Sequence, residues 1–111
     1  IATNLKGQVC CPIPLADGRV ATTYDHRCEP QGIRVALSED LRHFVDVLTV
    51  FDVGSKATLG QSQSDNFLAE QLLITFSKPG CIQLPAGDML IWYWCTVNSV
   101  THTRWARLQL Q

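Results

Sequence analysis

Apolar and polar positions alternate along much of this chain, in short runs closed by turn residues. "QVCCPIPL" is an apolar run ended by "ADGR" and answered by "VATTYDHR". Asp-Gly between two apolar runs signals a hairpin, and a type I′ turn, with positive φ at both central residues, is expected there. "CEPQG" interrupts regular structure through Pro30 and Gly32. In "IRVALS", Ile33, Val35 and Leu37 alternate with Arg34, Ala36 and Ser38, which predicts a third strand. "SEDLRH" is a polar turn, and "FVDVLTVFDV", rich in β-branched residues, is a fourth strand. Four antiparallel strands in succession make a meander, as in one propeller blade or part of a small barrel.

The pattern then starts again. After the polar stretch "GSKATLGQSQSDN", a surface loop, "FLAEQLLITF" fits either a short helix or a strand. "GCIQL" reads as a strand, "PAGD" as a turn, "MLIWYWCTV" as a strand, "NSVTHT" as a loop and "RWARLQLQ" as a strand. A shift of 69 residues lays Ile13 on Ile82, Leu15 on Leu84, Gly18 on Gly87 and Tyr24 on Tyr93. The expected organisation is all-β: a first blade over 1–54, a loop with a short helix or strand over 55–76, and a second, incomplete blade over 77–111. A repeat whose last unit is one strand short suggests a closed ring.

The length suits one small domain, and 46% hydrophobic against 17% charged residues places the chain among globular rather than disordered sequences. Net charge is −1 with no basic cluster, which argues against nucleic acid as a partner. No apolar run reaches the ~18 residues of a membrane helix. The start, "IATNLKGQ", has neither a signal-peptide pattern nor an initiator Met, so a processed product or an excerpt is expected. Five cysteines, Cys10 and Cys11 adjacent, make no paired framework. Without CxxC spacing or clustered histidines no metal or cofactor is expected, and free thiols favour a reducing, cytoplasmic setting.

"PLADGRVATTYDHR", "GIRVALSEDLRHF" and "GCIQLPAGDMLIWYWCTV" resemble the sialidase-like β-propellers with Asp-box repeats. Ser38, Asp40 and Phe44 stand in a variant of the box, with Arg42 where the family places glycine. The resemblance covers about three quarters of the chain and implies six blades in a full ring. Two blades would leave apolar faces uncovered, so a homo-oligomer, three copies completing the ring, is the expected assembly.

It also implies a site for glycans. An arginine cluster gripping a sugar carboxylate would draw on Arg27, Arg34 and Arg104, because the guanidinium fork matches a carboxylate. Asp25 and Arg27 are the candidate catalytic pair, and His26 lies between them; the same group is equally an ion pair at a strand end. The family's nucleophilic tyrosine would fall where this chain has Lys78-Pro79-Gly80, and its glutamate where this chain has Trp94. In "IWYWC", alternation sends Trp92 and Trp94 to one face, where they either stack on sugar or pack between blades. Trp105 is expected to pack. Three functions stand: a glycosidase fragment, a non-catalytic glycan-binding module, or a structural remnant.

Overall fold

The computed structural model describes residues 1–54 and 76–110. Seven strands are formed: β1 (Gly7–Pro14), β2 (Val20–His26), β3 (Gln31–Ser38), β4 (Val45–Gly54), β5 (Phe76–Gln83), β6 (Met89–Val97) and β7 (Val100–Leu108). They make two antiparallel sheets, β1-β2-β3-β4 and β5-β6-β7, each a meander, and no helix occurs among the described residues. The loop expected over 55–76, and the choice of helix or strand in "FLAEQLLITF", lie outside the described residues except for Phe76, which opens β5.

The two hairpins β1–β2 and β5–β6 are the same object built twice. Leu15 N–H donates to Arg19 O at 2.8 Å and Gly18 N–H to Leu15 O at 3.1 Å; Leu84, Gly87 and Asp88 repeat both bonds. Gly18 and Gly87 have φ of 91° and 97°, whereas Asp17 is not left-handed. The turn is therefore a three-residue loop closed by a left-handed glycine, in place of the expected type I′ turn. Arg19 bonds back to Asp17 through both its N–H (3.0 Å) and its Nε (2.8 Å), which holds Asp17 in the ordinary region. The repeat extends to a bulge: register slips between Gly7 and Cys10 in β1, and between Ser77 and Gly80 in β5.

The tight two-residue turn occurs elsewhere. Asn98 and Ser99, with φ of 52° and 64°, close β6 onto β7, and Val97 pairs with Val100. "NSVTHT" is thus not a loop; four of its six residues belong to β7. Asn tolerates the left-handed region, and the Thr96 and Thr101 hydroxyls share a hydrogen bond across the strands next to the turn (2.8 Å).

The sheets pack face to face around one core. The first sheet contributes Leu15, Ala21, Ile33 and Val35, and the second Phe76, Cys81, Met89, Ile91, Tyr93 and Cys95. Phe51 reaches across from β4 to Phe76 and Tyr93, with centroids 6.1 and 5.6 Å apart. Under the 69-residue shift, the face of β2 in this contact (Ala21, Thr23, Asp25) matches the face of β6 turned away from it (Leu90, Trp92, Trp94). The packing is head to tail, one repeat laying its front on the back of the next.

The two outer faces differ in character, although both were expected to be apolar. That of the first sheet is polar: Tyr24 donates to Asp46 Oδ1 at 2.6 Å, and Arg34 to Asp46 Oδ2 at 2.9 Å. Residues 4–6 cross it. Asn4 bonds the Arg42 and Phe44 backbone beside β4, and Lys6 O accepts Arg27 N–H at the end of β2. The outer face of the second sheet carries the tryptophans.

Candidate functional site

The β5–β6–β7 register sets the outer face of the second sheet row by row. Gly80, Trp92 and Trp105 are opposite one another; Ser77, Trp94 and Thr103 form the row above, and Ile82, Leu90 and Arg107 the row below. Alternation in β6 puts Trp92 and Trp94 on one face, as the sequence indicated, and the packing of the sheets buries Ile91, Tyr93 and Cys95 and turns that tryptophan face outward. Trp92 is 38% exposed and Trp105 71%. Trp105 is therefore not a packing residue. A two-residue turn at Asn98-Ser99 pairs it with Trp92, and the sequence signal for that turn is the Asn-Ser dipeptide between two runs of alternating residues.

Gly80 shapes this surface. A Cβ there would meet the Trp92 indole at 2.4–2.5 Å, so the ring lies over the glycine backbone and is held flat against β5. Below it, Arg107 Nε donates to Asp88 Oδ2; this bond holds the Asp88 carboxyl below its ordinary value and places a cation beside the indoles. The aromatic faces, bordered by Thr103 and Arg107, form a surface with an apolar centre and a polar edge.

Asp25 is entirely buried in the seam between the sheets. Its Oδ1 accepts the N–H groups of Gln8 and Val9, both at 2.8 Å, so it fills the β1 bulge. Its Oδ2 accepts Arg27 Nε at 3.1 Å and Ser77 Oγ at 3.3 Å. Gly7 makes this possible, since a Cβ there would lie 2.2 Å from the Asp25 carbonyl oxygen. Arg27 also donates to Phe76 O at 2.9 Å and sits over the Phe76 ring at 4.3 Å. Four donors on one carboxylate join both ends of the first hairpin to the start of the second sheet.

Of the three arginines, two share an end of the seam. Arg104 lies 5.7 Å over Phe51, which touches Phe76 beneath Arg27, and its Nε donates to His102 Nε2 at 2.9 Å. Arg34 lies on the opposite face of the first sheet, held by Asp46 and by Pro30 O at 2.8 Å; His26 Nδ1 contacts the same carbonyl at 3.1 Å. Burial and the Asp46 carboxylate push the Tyr24 hydroxyl well above its ordinary value, the wrong direction for a nucleophilic tyrosine.

The sequence-derived residues thus fall in four places: Asp25 and Arg27 in the seam, Arg104 at its end, His26 and Arg34 on the strapped face, Trp92 and Trp94 on the open one. Among the described residues no cluster of His, Cys, Asp and Glu suited to a metal ion occurs. Compared with known protein families, curated proteins and solved structures, the chain has no match.

Proposed function

We propose that this chain is a pair of propeller-type blades that binds glycans without hydrolysing them, through the tryptophan face of the second sheet. The observation that carries the reading is the Trp92–Trp105 pair, opposite one another across β6 and β7 with the Trp105 indole mostly in solvent. Pyranose rings present a C–H face to such indoles and hydroxyls to the threonine and arginine that border them. The head-to-tail packing of two repeats supports the propeller part of the proposal, as does the Asp-box-like turn: Ser38 Oγ accepts Leu41 N–H at 2.9 Å, and Asp40 Oδ1 accepts Arg42 and His43 N–H, both at 2.8 Å. The saturation of Asp25 and the engagement of Asp46 by Tyr24 and Arg34 favour binding over turnover: neither carboxylate is open to substrate as an acid or base, and Lys78-Pro79-Gly80 stands where the family's nucleophilic tyrosine would fall.

A glycan array probed with the wild-type chain tests this. Binding of a defined sugar class, lowered at least tenfold (about 1.4 kcal/mol) by Trp105→Ala and by Trp92→Ala, is the expected result. Absence of any signal, or a signal indifferent to both substitutions, refutes it. Release of fluorophore from aryl glycosides by the wild-type chain would return it to the glycosidases.

A second copy of the chain is the competing occupant of the same face. Three copies closing a six-sheet ring would lay each tryptophan face on a neighbour's first sheet, where residues 4–6 now run. Light scattering at micromolar concentration separates the two: the glycan reading expects a single-chain mass with Trp105 open to quencher, and a three-chain mass with Trp105 shielded assigns the face to assembly.

A further inference from the structure

We propose that Cys11 and Cys81 are an oxidative modification site, which a small-molecule disulfide converts into a cross-link between the two sheets. Cys11 lies on β1 opposite Thr23, and Cys81 on β5 opposite Ile91, so both point into the seam. Their contacts are reciprocal. Cys81 N–H donates to Cys11 Sγ at 3.4 Å, Cys81 Sγ–H to Cys11 O at 3.2 Å, and Cys11 Sγ–H to Cys81 O at 3.6 Å. Such reciprocity requires the two residues to stand side by side, the arrangement a disulfide bridges. The other thiols are placed differently: Cys10 and Cys28 are exposed, and Cys95 is buried beside His102 Nε2 at 3.8 Å.

The two thiols have unequal roles. Cys11 is partly exposed, so the reagent reaches it first: its sulfur attacks one sulfur of the reagent, its proton passes to solvent, and the first small thiol is released. Cys81 is buried, and that burial pushes its thiol up to about 11; it acts second. Its thiolate attacks the Cys11 sulfur, forms the protein disulfide and expels the second small thiol. Two protein thiols are oxidised and one reagent disulfide is reduced to two thiols. The bond would close the segment between β1 and β5 into a covalent loop and pin the first sheet to the second across the core.

The site is independent of the glycan reading, and its test does not involve sugar. The full chain is incubated with oxidised glutathione, then its intact mass and its peptide map without reductant are measured. The expected map joins the Cys11 and Cys81 peptides, and in a Cys10→Ser, Cys28→Ser double variant, which removes the exposed thiols, the intact mass falls by two hydrogens. In Cys81→Ser the mixed disulfide should accumulate on Cys11. The melting midpoint of the cross-linked chain should exceed that of the reduced chain by roughly 10 °C. A glutathione adduct that persists on Cys11 of the wild type, or a map that joins Cys10 or Cys28 instead, overturns the proposal.

Discussion

Asp25 illustrates how one buried side chain can hold several elements. Removing its carboxylate orphans two backbone N–H groups in the β1 bulge and leaves Arg27 without its anion. Breaking such a buried pair by deleting one partner costs about 3–5 kcal/mol. Asp25→Ala should therefore lower the urea midpoint by that equivalent, whereas Ser77→Ala, which removes one of four donors, should cost about 1 kcal/mol. Equal effects would show that the hub is not centred on Asp25. Asp40 acts at the surface. The N–H groups of His43 and then Arg42 hold its carboxyl below the ordinary value. A carboxyl lowered on folding adds stability above its unfolded value and loses it as pH falls through the folded one. The advantage of wild type over Asp40→Ala should accordingly be full at neutral pH and shrink as the pH falls below about 4, which paired unfolding curves at several pH values would reveal.

At the scale of elements, the duplicated hairpin makes a clean comparison. No atom lies within 4 Å of a Cβ built on Gly18 or Gly87, so only the backbone conformation opposes a side chain there. Gly18→Ala and Gly87→Ala should each cost roughly 1–2 kcal/mol, the penalty of a left-handed residue, and the two should add. Gly80 is the contrasting case, because its new Cβ would collide with the Trp92 ring. Gly80→Ala should shift the tryptophan emission and weaken glycan binding while the far-ultraviolet spectrum stays that of the wild type. Unchanged emission would mean that the indole does not rest on the glycine. The strands themselves were readable from alternation, since Ile33 and Val35 with the partly buried Leu37, and Ile91, Tyr93 and Cys95, face the core as their period requires. Turn chemistry was less readable. Asp17 and Gly18 suit two hairpin geometries, and the side-chain bonds from Asp17 to Arg19 favour the one adopted.

At the scale of the whole molecule, the 69-residue echo is a repeat of structure as well as of sequence in the hairpin turns, with the bulges of β1 and β5 offset from it by one residue. Sequence alone determined the all-β class, the two meanders, the placing of Trp92 and Trp94 on one face of their strand, and the near-identity of two hairpins. Each of these depends on neighbours within a few residues, or on a period that a strand enforces by geometry. Only the tertiary structure decided that Asp25 would be sealed between sheets, that Arg34 would part from Arg27 and Arg104, that Trp105 would stand beside Trp92, and that Cys11 would meet Cys81. Those outcomes depend on which face of each sheet turns inward and how the two sheets slide together. Residues dozens of positions apart settle that jointly, and no local pattern encodes it.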